Sequence, residues 1–267
     1  MTDKEEPLLA SVRNWAEKTG LPLELYTKSV FGKEGFSVSH STLYEDMQAD
    51  KAREIDIVAY WRDTLGLVQI YFVIECKSSS KPWVVLTDKA SFPRPLNYSF
   101  GLFSANVAEH IPIHLDLYRS DAGRMLEILH RSGYGLKVAH SGNDDPAFGA
   151  AMSALKAARA HVQNTAGKID RFKFAIPVIV VDAPIVECNL SESGELEYRK
   201  VDYSEAHFNA YIPELQRASI RIVSKEALPF YASRFRMVAQ AIVAQMTPQI
   251  AAFVRDMAQA RTKPGPP

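Results

Sequence analysis

A chain of 267 residues, 47% hydrophobic and 23% charged, is long enough to bury one elaborated domain or two small ones, which excludes a disordered or fibrous protein. Its 31 Lys and Arg balance its 31 Asp and Glu, so no global positive field announces a nucleic-acid partner, and any such surface has to be local. Cys76 and Cys188 are too few for a disulfide scaffold and lack zinc-site spacing; with no apolar run of about 18 residues and no signal-peptide pattern in MTDKEEP, a cytoplasmic protein outside the membrane is expected.

Pro7 opens a predicted helix with Leu8, Val12, Trp15 and Ala16 at helical spacing and Gly20 as its stop, an accessory helix expected to pack on the core. Pro22 begins a second helix, in which Leu23, Tyr26 and Val30 form a stripe. Glu24 lies at that stripe's edge near the N-terminus, where a carboxylate also suits the helix dipole. After Gly35, the residues Phe36, Val38 and Leu43 mark an edge-like strand running to Tyr44, and the polar stretch 45–51 turns the chain back.

The next two stretches, REIDIVAYW (53–61) and VQIYFVIECKS (68–78), carry the candidate chemistry. Alternate side chains of a strand share a face, so Glu75 and Lys77 project from the same side, roughly 6.6 Å apart along the strand. If the two strands pair through a turn at Asp63–Gly66, Asp56 lies beside Glu75. Two carboxylates and an ammonium then converge on otherwise apolar strands, where repulsion and lost hydration make them costly. A hard cation removes that objection, because Mg²⁺ takes a few carboxylate oxygens together with waters and substrate phosphate oxygens. The bland alternative is an ion pair of Lys77 with Glu75 or Asp56 and no chemistry. Glu54 shares a face with Asp56 and is the rival ligand, although a rim residue paired with Arg53 or Lys51 is the simpler reading. Cys76 is expected to be a small buried residue on the face opposite Glu75.

The order of helix with Glu, strand, strand with Asp, and strand with Glu-x-Lys in PLELYTKSVFGKEGFSVSHSTLYED…REIDIVA…VIECKSSSKPW resembles the PD-(D/E)xK nucleases, the restriction-endonuclease-like fold. The resemblance covers an α-β-β-β-α-β core from about residue 22 to 183, with a long interruption. It implies Glu24, Asp56, Glu75 and Lys77 as the catalytic set. It also implies Asp56, Glu75 and the backbone carbonyl of Cys76 as ligands of Mg²⁺ or Mn²⁺. The implied reaction is phosphodiester hydrolysis in nucleic acid, DNA more often than RNA. Ile55 stands where the family motif has proline.

Beyond Lys77, Ser78, Ser79 and Lys81 offer phosphate contacts or an ordinary hydroxylated turn. Residues 91–145 read as an insertion with a helix at 122–132, expected to form a lobe beside the site or a homodimer contact. Its histidines, His110, His114, His130 and His140, share no metal-ligand spacing. Asp144, Asp145 and Pro146 start a helix whose apolar side carries Phe148, Ala151, Met152, Leu155, Ala158 and Val162, with Lys156, Arg159 and Gln163 on a solvated face. Residues 173–190 read as the last core strand, bent near Pro184, and Glu192–Gly194 turns into a hairpin outside the core. A strand at 217–224 follows, then a helix from Glu226 with Phe230, Tyr231, Phe235, Val238, Ile242 and Met246 inward. Thr247-Pro248 caps a last helix carrying Ile250, Phe253 and Met257. Arg234 and Arg236 face nucleic acid or are interspersed surface charge.

The expected whole is one α/β domain with a restriction-endonuclease-like mixed central sheet, an insertion at about 91–145, and a C-terminal hairpin and helices at about 184–262. Two other functions stay open: an inactive nucleic-acid-binding or assembly subunit, and a hydrolase of a small phosphorylated molecule.

Overall fold

In the computed structural model, which describes residues 5–88, 100–109, 117, 119–126, 132–142, 145–163, 171–211 and 214–262, strands and helices build a mixed α/β structure on one large sheet. The chain begins with α1 (Glu5–Glu17), α2 (Leu21–Lys33), β1 (Ser37–Asp46), β2 (Lys51–Arg62), β3 (Val68–Ser78) and β4 (Trp83–Asp88). It continues through β5 (Leu102–Phe103), α3 (Ala105–Ala108), α4 (Asp121–Met125), β6 (Ser132–Val138), α5 (Pro146–Gln163) and β7 (Phe172–Asp182). The last part holds β8 (Ile185–Leu190), β9 (Leu196–Val201), β10 (Tyr203–Tyr211), β11 (Leu215–Ser224), α6 (Leu228–Gln245) and α7 (Thr247–Thr262). Among the described residues no single helix is long and apolar enough to cross a membrane.

The strand order is β1-β2-β3-β7-β11-β10-β6-β4-β8-β9, with β5 beside β7. β1, β2 and β3 are an antiparallel meander, whereas β7 runs parallel to β3 from Val68↔Phe172 to Ser78↔Asp182. Parallel neighbours need a crossover, which α5 supplies. β7 is apolar almost throughout because both faces are covered, as a central parallel strand requires. On one face Ile57, Ile70, Phe72 and Ile74 pack with Phe31 of α2 and Phe235 of α6. On the other, Val58, Val73 and Ile179 pack with Ala151, Leu155 and Ala158 of α5. Pro177 has no N–H to give. It falls where the neighbour of β7 changes from β5, paired at Phe174 and Ala175, to β11, paired from Val178 onward.

Several expectations need correction. The apolar side of α1 is not packed on the core: Leu8 is 63% and Trp15 60% exposed, and Gly20 belongs to the N-terminus of α2. Described parts of 91–145 are not a separate lobe, since β5 pairs with β7, and β6 pairs with β4 and β10. The helix expected at 122–132 covers Asp121–Met125, and Ser132 already belongs to β6; 127–131 lie outside the described residues, as do His110, His114 and His130. Residues 173–190 are two strands: β7 ends at Asp182, and β8 pairs with β4 and β9 instead. The supposed external hairpin of β8 and β9 extends the same sheet, and β10 was not anticipated. Phe148 and Phe230 point outward, and small alanines take their place against the sheet in α5.

Candidate active site

The β2–β3 hairpin brings the candidate residues together. Its register, Ile57↔Ile74, sets Asp56 level with Glu75, and there the ladder stops. Cys76 N–H instead donates to Asp56 Oδ2 at 2.7 Å. β3 stays zipped to β7 for four more residues, so a carboxylate fills the gap where the ladder acceptor of β2 would be. The β1–β2 ladder is also interrupted here: Ser41, level with Asp56, has φ 53°, an uncommon conformation for a residue with a side chain.

Glu75 and Lys77 share a side of β3, as alternation predicts, with Lys77 Nζ 2.7 Å from Glu75 Oε1. Glu75 is only 6% exposed, and its Oε2 is buried without a hydrogen-bond partner. Burial, then the charge of Asp56, pushes its carboxyl up to about 7 despite Lys77. Burial likewise raises Asp56, against the Cys76 N–H and Lys77. For Lys77, burial alone would lower the pKa; the attraction of Glu75 and Asp56 outweighs it and holds the ammonium form. Cys76 lies on the opposite face, its thiol donating to Thr27 Oγ1 of α2 at 3.6 Å and pushed up by burial, so it is inert as a nucleophile.

Glu24 approaches from the first turn of α2, close enough that its charge raises both Asp56 and Glu75. Its Oε2 lies 2.9 Å from His40 Nε2 on β1. His40 was not singled out in the sequence, where a lone histidine on a polar edge strand carries no spacing signal. Glu54 is exposed, and Arg53 turns away from it to Asp46, with Nε 2.6 Å from Oδ2. Asp46 is 1% exposed and also takes Lys156 of α5 at 2.9 Å, so Lys156 is not on a solvated face. Beside this group, Tyr44 is pushed up to about 12 by burial and by the charge of Asp46; it bonds to Ser153 and feels Glu75.

Elsewhere, Arg234 donates to Met125 O at 2.9 Å and Arg236 lies 3.4 Å from Glu34, so both are engaged within the chain. Lys81 donates to His140 O and Ser79 Oγ to Lys81 O, so both side chains are engaged within the chain.

Among the described residues no three His, Cys, Asp or Glu side chains are gathered tightly enough to enclose a metal by themselves. A magnesium-type ion does not require that; one or two carboxylates, waters and substrate oxygens suffice. The donors at the end of the β2–β3 ladder fit such an ion. Glu75 Oε2 lacks a partner, and Asp56 is fixed by one oxygen. The Cys76 carbonyl leaves β3 on the same side as the Cys76 N–H, toward Asp56. Comparison with protein-family models, curated proteins and solved structures finds no match.

Proposed function

We propose that the chain is a metal-dependent nuclease of the PD-(D/E)xK kind, hydrolysing phosphodiester bonds with Mg²⁺ or Mn²⁺, in DNA more readily than RNA. The observation that carries the reading is the meeting of Asp56, Glu75 and Lys77 where the β2–β3 ladder ends, with one Glu75 oxygen buried and partnerless. The succession α2-β1-β2-β3-α5-β7, with β3 parallel to β7, supports a restriction-endonuclease-like core.

Asp56, Glu75 and the Cys76 carbonyl would hold the ion. When bound, it polarises the scissile phosphate and lowers the pKa of a bound water. The chain's own groups do the rest. Lys77 sets an ammonium beside the reacting phosphate, where negative charge builds, and orients the attacking water. The Cys76 N–H holds Asp56 by Oδ2, which leaves Oδ1 for the ion, and His40 holds Glu24, whose carboxylate can orient water.

The test is incubation of plasmid, linear duplex, single strands and RNA with Mg²⁺ or Mn²⁺, comparing the wild type with Asp56→Asn and Lys77→Ala. Asn keeps an oxygen for the Cys76 N–H, so the fold is expected to survive. Cleavage should fall at least about 100-fold in either variant. Full activity in either one refutes the mechanism. Calorimetry with Mn²⁺ separates the inactive-subunit reading: titration heat that is present in the wild type and lost in Asp56→Asn belongs to a working metal site. No heat in the wild type would leave Lys77 as a mere counter-ion for Glu75.

A further inference from the structure

A pocket of about 310 Å³ lies along β2 on the α5 side of the sheet, beginning at Val58, two residues past Asp56, and reaching Arg62 at the strand's end. Its lining gathers Arg62, Arg171 and Lys173 with Tyr60, Tyr71 and His161, and none of the described residues that line it is a carboxylate. In a chain whose charges balance, two guanidinium groups and an ammonium gathered along one pocket form a local positive field. Among the described residues Arg62 and Arg171 have no carboxylate partner.

The rings make a platform. Tyr71 stacks on His161 with centroids 5.2 Å apart and planes 24° from parallel, and Tyr60 stands 6.2 Å from Tyr71. His161 Nε2 is buried and partnerless. Burial, then the charge of Lys173, lowers the pKa of that imidazole, so the ring against Tyr71 carries no added charge at neutral pH. Aromatic faces flanked by unpaired guanidinium groups are what an unpaired nucleotide needs: the ring stacks and the phosphates meet the cations. A duplex keeps its bases stacked on one another and offers them to no such platform. From Asp56 to Arg62 is six residues of strand, about 20 Å, the span of roughly three nucleotides.

We infer that this pocket is a subsite for single-stranded nucleic acid, holding the unpaired segment that flanks the bond presented to Asp56 and Glu75. The inference rests on the nuclease reading for its choice of polymer, and its test does not depend on cleavage. Fluorescence anisotropy in EDTA measures binding of labelled single-stranded 12-mers of DNA and RNA, the matching duplex, a mononucleotide and inorganic phosphate. The wild type should bind single strands more tightly than duplex. The double variant Arg62→Ala, Arg171→Ala should weaken single-strand binding at least ten-fold and reduce the slope of log K against log salt by about 1.4, the value for two phosphate contacts. Tyr71→Leu should weaken binding and leave that slope alone, whereas Tyr71→Phe, which keeps the ring, should bind as the wild type does. Asp56→Asn should bind strands normally while cleaving nothing. The subsite is overturned if the wild type ignores single strands, if the arginine variant binds them undiminished, or if phosphate or the mononucleotide displaces a strand at equal concentration. Cleavage surviving Asp56→Asn would instead sink the nuclease reading and leave the subsite standing.

Discussion

Glu75 concentrates the tension of the site in one side chain. It is buried, it faces another carboxylate, and the lysine on one of its oxygens does not bring its pKa back to the value of a free glutamate, about 4.5; it rises to about 7. The sign follows from proton occupancy. Between those two pH values the folded chain keeps a proton that the unfolded chain has released, so stability is greatest at the acid end and declines as pH rises toward neutrality. Glu75→Gln imitates the protonated acid at every pH. In EDTA the wild type should lose about 2 kcal/mol of stability between pH 5 and 8 from this group alone, and the glutamine variant should lose that part of the slope. Urea unfolding at several pH values measures it; parallel slopes in the two proteins would show that Glu75 titrates normally. A cation at Oε2 should remove the proton, so Mn²⁺ affinity is expected to increase across the same interval. Lys77→Ala should move the titration higher, because the one group holding the carboxylate form is gone.

At the scale of elements, the β1–β2 hairpin is pinned to α5 by Asp46, which takes Arg53 and Lys156 while Gln48 N–H donates to its Oδ1 at 3.1 Å. Burial would raise the Asp46 carboxyl, but Lys156 and the Gln48 and Ala49 N–H groups win and hold it below the usual range. Its contribution is therefore present above the ordinary aspartate pKa and lost as pH falls through the lowered one. Asp46→Ala leaves the largely enclosed Lys156 without its partner and should cost about 3 kcal/mol, read as a thermal shift. Unchanged stability would show the pin to be ornamental. In the sequence Asp46 looked like one more polar residue of a turn. Asp56, Glu75 and Lys77 were legible because strand alternation is a local rule and their neighbours are strongly apolar. β6 and β10 were not, since SGYGLKV and YSEAHFNAY lack clean alternation and their pairing depends on distant strands. Gly133 shows why: a Cβ there would stand 2.3 Å from Glu205 O of β10, so the glycine answers to a close approach and not to a turn. α1 misled in the other direction, its helical stripe being genuine but left facing outward.

At the scale of the whole molecule, the sheet joins a site-bearing half, β1-β2-β3-β7 with α2, α5 and α6, to a half made of β10, β6, β4, β8 and β9. The join is the parallel pairing of β11 with β7 from Val178 to Val181, extended by Lys225 N–H to Val181 O at 2.8 Å and by Lys225 Nζ to Asp182 at 2.7 Å. Both cores also cross it: Val223 packs with the α2 and α6 side, and Ile220 and Ile222 with the α5 side. Backbone pairing continued through two apolar layers couples the halves, so one cooperative unfolding transition is expected although the chain is long enough for two domains. The three tryptophans make this measurable, because Trp61 sits in β2, Trp83 is 1% exposed in β4, and Trp15 lies on α1 at 60% exposure. With Trp15→Phe as background, adding Trp61→Phe or Trp83→Phe leaves one reporter in either half. Each reporter should give the same urea midpoint as the far-ultraviolet circular dichroism of its own variant, and the same slope. A β4 reporter released at lower urea than the helical signal of its own variant, while the Trp61 reporter of the other variant follows the helical signal there, would show that the pairing of β7 with β11 is a seam between two folding units.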